Sequence, residues 1–314
     1  MRRVLVTGDF DVENAVFPSG IEIIHIRCPV DEEQIIDALS DVHDYILGGP
    51  EYLSARIIDC APGLKNVVVM GTGTASFMDV EYATKKGIRI SNTPHMNVQA
   101  VTEFTLAMMT VCQAKVLESI EGVKEGSRWI QTPRPSISGL SIGIVGMGAI
   151  GTEMAHQLHL RGCSSIKYWS RTRKPQLESS LNLIYGSLIE IVGTVDVLSI
   201  HLAGSAETHS LIDERILEKA NPNLMIFNMS SPRIICPVAL KNHLVSHPEA
   251  CCIIDGYYHE WVDNKGQSDD RYGLLSLPSK NLVVTSHLAA QEQGAINNIF
   301  AKAVERILDF PAKA

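Results

Sequence analysis

The residues whose spacing speaks most directly of chemistry are Gly146-Met147-Gly148-Ala149-Ile150-Gly151, a complete G-x-G-x-x-G. An apolar run over 141–145 precedes it, and Met154, Ala155 and Leu158 follow at the three-to-four spacing of a helix face. In that setting each glycine has a task. Gly146 permits a tight turn, Gly148 lets backbone approach a pyrophosphate, and Gly151 lets helix and strand pack closely. The helix start, with Ala149 and Ile150 in its first turn, offers free N–H groups and a positive dipole end to phosphates. Dinucleotide binding is the expectation. A second apolar strand, Ile166–Trp169, runs into Ser170-Arg171-Thr172-Arg173-Lys174, with no carboxylate before Glu178. An NAD site places an acid there to accept from the ribose 2′-OH, whereas hydroxyls and a guanidinium bind a 2′-phosphate. Ser170, Arg171 and Thr172 therefore predict NADP(H) in preference to NAD(H).

Such a turn needs a sheet around it, and the chain supplies strands and helices in alternation. Strands are expected at 4–7, 21–26, 45–47, 67–70 and 88–91, and again at 195–201, 224–228, 250–255 and 282–285. Helices are expected at 31–39, 54–60 and 80–86, with one long apolar helix over 98–118 and an amphipathic one over 294–308. This alternation implies parallel sheets covered on both faces, an α/β fold. Only the 140s carry a nucleotide fingerprint, so the first hundred residues need another task. The apolar helix over 98–118 must be buried, between domains or between subunits.

Composition sets outer bounds. A chain of 314 residues, 45% hydrophobic and 20% charged, has room for two cored domains. A formal charge of −8 argues against nucleic acid or an anionic membrane as the principal partner. Met1-Arg2-Arg3 leads straight into a strand, and no apolar run is long enough to span a bilayer; a cytosolic protein is expected. The seven cysteines form no C-x-x-C pair, so neither a zinc site nor a disulfide framework is indicated, and no metal is expected.

The order of the motifs resembles the D-isomer-specific 2-hydroxyacid dehydrogenase family over nearly the whole chain. The blocks that carry it are 66–79 with Gly71-Thr72-Gly73, then Asn92-Thr93-Pro94 through Ala100-Val101-Thr102-Glu103-Phe104, and the glycine fingerprint. They continue with Val195 through Leu202 and Thr208, Ile254-Asp255 with Glu260, and Thr285-Ser286-His287-Leu288-Ala289. The resemblance implies two doubly wound parallel-sheet domains, a Rossmann domain over 98–288 inserted into a flavodoxin-like substrate domain of 1–97 and 289–314. It implies hydride transfer between nicotinamide and a small carbonyl or 2-hydroxy acid held between the domains. His287 would be the general acid/base and Glu260 its partner, an assignment consistent with imidazole titrating near neutral pH beside a carboxylate. The backbone amides of Thr72 and Gly73 would meet the substrate carboxylate. Thr102, His201, Leu202, Ala203, Thr208, Met229, Asp255 and Ala289 would join the fingerprint around the cofactor. A homodimer is the assembly the resemblance implies.

The chain departs from the family at one position that matters. The family's substrate arginine follows the strand over 224–228, but here the segment reads Asn228-Met229-Ser230-Ser231-Pro232-Arg233, placing Ser231 where the guanidinium belongs. A serine hydroxyl cannot anchor a carboxylate bidentately, and loss of one preorganised donor costs on the order of 2.7–4 kcal/mol at the transition state. Three readings stay open. Arg233 or Arg134 replaces the missing group, the substrate is a carbonyl other than a 2-keto acid, or the protein binds NADP(H) as a regulator with little turnover. Ala203 and Ser286 also stand where the family has prolines.

Overall fold

The computed structural model describes residues 2–12, 17–28, 30–126, 129, 131, 133–258 and 270–309. Two compact units emerge, one holding Met1–Asn97 and Gln291–Ala314, the other Val98–Tyr258 and Asp270–Ala290. The chain returns to the first unit at Gln291, two residues beyond the boundary expected at 289.

The first unit opens with β1 (Arg2–Thr7), β2 (Ile21–Ile26), α1 (Glu32–Leu39), β3 (Asp44–Leu47), α2 (Ala55–Cys60), β4 (Asn66–Val69), α3 (Val80–Lys85) and β5 (Arg89–Asn92). All pairings are parallel, in the order β2-β1-β3-β4-β5 of flavodoxin-like sheets. Alternation along the strands assigns the faces. Leu5, Tyr45, Leu47, Val67 and Val69 pack with Ile35, Leu39, Ile57 and Ala83 of the three helices.

The second unit begins with α4 (Val98–Gln113) and α5 (Val116–Lys124), where one helix over 98–118 is expected from sequence. The chain bends by 54° between them. Lys115 takes up the turn in the left-handed region at φ 53°, so the apolar run splits into two axes. Next come β6 (Ile142–Val145), α6 (Ala149–Leu160), β7 (Ile166–Trp169), α7 (Pro175–Leu181), β8 (Ile184–Tyr185), α8 (Leu188–Val192) and β9 (Val197–Ile200). The unit continues through α9 (Glu214–Leu217), β10 (Met225–Asn228), α10 (Pro237–Ser246), β11 (Cys251–Asp255) and β12 (Leu282–Thr285). Its sheet, again parallel, runs β12-β11-β10-β9-β6-β7-β8, a doubly wound order whose direction reverses at β6. Ile142, Ile144, Val197, Phe227 and Ile253 face α4 and α6, while Leu198, Ile200, Ile226 and Ile254 face α8, α9 and α10. The expected two doubly wound parallel sheets are present. No helix among the described residues is long and apolar enough to cross a membrane.

The last helix, α11 (Gln293–Leu308), returns to the first unit and covers the other face of its sheet. Phe300, Ala303, Val304 and Ile307 pack on Val4, Val6, Ile46 and Val68. Arg2 ties this return down. Its Nε and Nη2 donate to Asp44 at 2.7 and 2.9 Å, and Nη2 also donates to the Ile307 carbonyl at 2.7 Å. Asn66 Nδ2 donates to the same buried carboxylate at 3.3 Å. Removing one member of such a pair strands the other charge away from water. Arg2→Met is expected to cost about 3–5 kcal/mol in urea unfolding, and a loss within about 0.5 kcal/mol would show that the pair does not anchor the helix.

Candidate active site

The glycine turn shows why its residues must be glycine. Gly146 adopts φ +97°, and a Cβ there would lie 2.5 Å from the His201 carbonyl oxygen. A Cβ on Gly151 would lie 2.0 Å from the Gly146 carbonyl oxygen, so α6 and β6 meet at a distance no side chain permits. Gly148 differs from both: a Cβ there would touch nothing within 4 Å. Open space over Gly148, at the N-terminal end of α6 where no side chain caps the helix, is the cradle a pyrophosphate requires. Ala149 and Ile150, half-buried, form the first turn behind it.

Two further atoms fit a polar ligand in this unit. Thr102 Oγ1 on α4 and His201 Nδ1 just after β9 are buried without a hydrogen-bond partner among the described residues. Orphaned buried polar atoms are rare and call for a partner. His201 Nε2 is bonded to Ser199 Oγ at 2.7 Å, and burial drives the imidazole pKa down to about 3. The ring therefore stays neutral at physiological pH. After it, Leu202 is half-buried and Ala203 exposed, and Thr208 closes the following turn. Thr208 Oγ1 donates to the Ala203 carbonyl at 2.9 Å and accepts from Ser205 N–H at 2.9 Å. Met229, half-buried after β10, packs against the α4–α6 side of the core.

The basic segment after β7 divides its labour. Ser170 is buried, and its hydroxyl donates to the Thr172 carbonyl at 2.7 Å, so it shapes the turn. Arg173 is committed to Glu178, with Nε and Nη2 on the carboxylate at 2.9 and 2.7 Å, and it lies 5.6 Å over the Tyr185 ring. The arginine, with Tyr168 Oη donating at 2.6 Å, holds the Glu178 carboxyl down at about 2. Thr172 and Arg171 are exposed, and Arg171 Nη1 reaches Glu207 Oε2 at 2.9 Å. Glu207 is not among the residues singled out from sequence. Its only signal there is a charge opposite to that of Arg171, and no spacing rule links residues 36 apart in the chain.

At the other side of the sheet, Asp255 ends β11 with 4% of its surface exposed. Its Oδ1 accepts from Thr285 Oγ1 at 2.6 Å and from Leu288 N–H at 2.7 Å, and its Oδ2 accepts from Ala289 N–H at 2.9 Å. The carboxylate thus clamps both ends of the turn that carries His287. His287 itself is half-buried and holds φ +54°, a left-handed conformation costing a non-glycine residue about 1–3 kcal/mol. Asp255, expected among the cofactor residues, spends its carboxylate on this turn. Glu260, the expected partner of His287, lies outside the described residues.

Ser231 follows β10, half-buried, with its carbonyl accepting from Asn228 Nδ2 at 3.1 Å. Pro232 starts a single 3₁₀ turn, Pro232–Ile234, and leaves Arg233 exposed on it. Arg134 is placed elsewhere. Its Nη1 donates to Gln113 Oε1 at 2.6 Å at the end of α4, and Lys115 beside it bonds Glu249, just ahead of β11, at 2.9 Å. That is the edge where the strands begin, opposite the strand ends that carry Gly146, Ser231 and His287. In the first unit, Gly71 takes φ +121° after β4, and its N–H donates to Thr93 Oγ1 at 2.8 Å. The next two N–H groups, of Thr72 and Gly73, donate to no acceptor among the described residues.

Residues 106–289 match the sequence model described as the NAD binding domain of D-isomer specific 2-hydroxyacid dehydrogenases. Over 266 residues the chain is 30% identical to a glyoxylate reductase from Aeropyrum pernix, covering 81% of this chain and 76% of that protein. The TT0316 protein from Thermus thermophilus superposes with a TM-score of 0.77 at 25% identity, covering 98% of this chain and 96% of that one. The D-lactate dehydrogenase of Aquifex aeolicus, solved with NAD and lactic acid, shares the fold with a TM-score of 0.82 at 18% identity, covering 98% and 95%.

The clamp and the buried ring each lead to a measurable effect. In Asp255→Asn an amide N–H would face a backbone N–H of the turn, so kcat should fall by about tenfold to a hundredfold with the nicotinamide-cofactor dissociation constant held within about threefold; an unchanged kcat would show that turnover does not depend on the clamp. The second effect concerns acid stability. His201 stays neutral in the folded protein down to a pKa of about 3, while the unfolded chain protonates it near its ordinary value. Its contribution is therefore present above about pH 6.5 and is lost as pH falls from there toward about 3. His201→Asn should flatten the fall of urea-unfolding stability between about pH 6.5 and 4 by the slope of one proton; an unaltered slope would contradict a ring held neutral in the fold.

Proposed function

This chain belongs to the D-isomer-specific 2-hydroxyacid dehydrogenase family and is an NAD(P)-dependent oxidoreductase acting on CH–OH groups, and we propose that it works as an NADP(H)-linked reductase of small 2-keto acids, glyoxylate first among them. The observation that carries the proposal is the Asp255 clamp, which holds His287 in a strained turn at the end of β12. Strain of that kind persists only where surrounding contacts impose it, and it concentrates at functional sites.

His287 is the general acid in reduction, delivering a proton to the oxygen of the carbonyl as it becomes an alkoxide, and the base in the reverse direction. Glu260 is proposed as its partner, orienting the ring. When bound, the reduced nicotinamide supplies the hydride. Gly146, Gly148, Ala149, Ile150 and Gly151 hold the pyrophosphate, and Thr102, His201, Leu202, Ala203, Thr208, Met229 and Ala289 line the rest of the cofactor. Arg171 takes the 2′-phosphate, since Glu207 holds it by one nitrogen whereas Glu178 holds Arg173 by two.

With Ser231 in the arginine position, carboxylate recognition falls to the Thr72 and Gly73 amides, a nest that needs no charged side chain. Arg233 stands two residues beyond that position on an exposed turn, and Arg134 is bonded to Gln113 at the end of α4, so neither is the first choice for the carboxylate. The weaker polarisation that remains favours small, activated carbonyls such as glyoxylate. Ser231 also supports a second reading, reduction of a carbonyl without a neighbouring carboxylate. Consumption of NADPH with glyoxylate, hydroxypyruvate and pyruvate, set against simple aldehydes and ketones, separates the two. The proposal expects turnover of 2-keto acids and a fall in kcat of about a hundredfold or more in His287→Asn. Turnover of the non-acids alone would establish the second reading, and a His287→Asn enzyme as fast as wild type would remove the acid/base assignment.

A further inference from the structure

The sheet order β9-β6-β7 places the glycine turn, at the end of β6, between the loops that follow β7 and β9. Arg171 belongs to the first of these loops and Glu207 to the second, and their 2.9 Å ion pair therefore spans the end of β6 from one side to the other. The pair is solvent-exposed, with 82% of the Arg171 side chain and 75% of the Glu207 side chain accessible. Among the described residues Glu207 alone holds the Arg171 guanidinium, whereas Arg173 is held through two nitrogens by Glu178 and lies 5.6 Å from the Tyr185 ring centre. Of the two arginines after β7, Arg171 changes partners at the smaller cost, because both members of its pair are exposed and joined by one contact, whereas Glu178 is 14% exposed and bonded twice.

We propose that Glu207 is a cofactor-selectivity residue: it holds Arg171 across the glycine turn and competes with the ribose 2′-phosphate for the same guanidinium. The inference rests on the NADP(H) reading above and extends it to a residue not singled out from sequence. A phosphate carries more charge and more acceptor oxygens than a carboxylate, so it displaces Glu207 and takes the fork bidentately. An adenosine without the 2′-phosphate offers nothing to exchange and leaves the pair closed. Glu207 thereby lowers affinity for phosphorylated cofactor through two effects, a competing partner for Arg171 and a negative charge near the phosphate.

Calorimetric titration of the full chain with 2′,5′-ADP and with 5′-ADP tests this without recourse to turnover. Glu207→Gln should bind 2′,5′-ADP about three- to tenfold more tightly than wild type at low salt, with 5′-ADP changed less than about twofold. Glu207→Ala should show the same gain. The gain should shrink at about 0.5 M salt, where exposed charges are screened, and it should fall to the residual charge effect in an Arg171→Ala background. Equal affinity of wild type and both Glu207 variants for 2′,5′-ADP would overturn the role of Glu207 and leave the NADP(H) reading intact. An equal gain for both nucleotides would overturn it too, since a selectivity residue must distinguish them. Wild type that binds 2′,5′-ADP no better than 5′-ADP, with a preference appearing in Glu207→Gln, would contradict the NADP(H) reading and retain Glu207 as the discriminating residue.

Discussion

A single buried carboxylate sets the geometry of the turn that carries His287. Asp255 stands at the end of β11 with almost no exposed surface, and three donors converge on it, one from the last residue of β12 and two from the segment that follows. Charge-assisted hydrogen bonds of this kind are roughly twice as strong as neutral ones. They offset the cost of burying a charge and of holding His287 at positive φ. β11 and β12 are themselves paired in register from Cys252 with Leu282 to Asp255 with Thr285, so the clamp is carried on sheet rather than on loop. Precision of this order comes more readily from strands than from mobile segments.

The same division between rigid and exchangeable parts runs through the nucleotide-facing edge. Gly146 and Gly151 bring α6 so close to β6 that any side chain would collide with backbone, which fixes the helix start relative to the sheet. Arg173, Tyr168, Glu178 and Tyr185 form a closed cluster that fixes the path of the chain after β7. Within this frame, the buried orphan atoms of Thr102 and His201 and the exposed Arg171–Glu207 pair are the polar groups left able to change partners.

Much of this was legible in the sequence because it is written in local periodicity. Alternating strands and helices, the glycine spacing and the strand-end position of His287 depend on neighbours a few residues apart. The strand over 21–26 and the last helix appear as expected to within a residue. Other features were hidden because distant residues determine them. The break at Lys115 interrupts a run whose hydrophobicity reads as one continuous helix, and composition carries no mark of the left-handed residue. Asp255 reads as a cofactor residue by position, yet its donors come from residues thirty and more along the chain. The Arg171–Glu207 pair likewise exists only because the sheet order brings two loops to the same edge. Arg134, named from sequence as one possible replacement for the missing arginine, is bonded to Gln113 at the end of α4, a pairing that its charge alone does not announce.

Transfer of label tests the central claim most directly. Glyoxylate incubated with NADPH bearing deuterium at C4 of the nicotinamide, followed by mass spectrometry of the product, reports the hydride itself. The account predicts glycolate carrying a single deuterium on the carbon that held the carbonyl. Glycolate formed without deuterium from either C4-labelled isomer would contradict hydride transfer as the reaction of this protein.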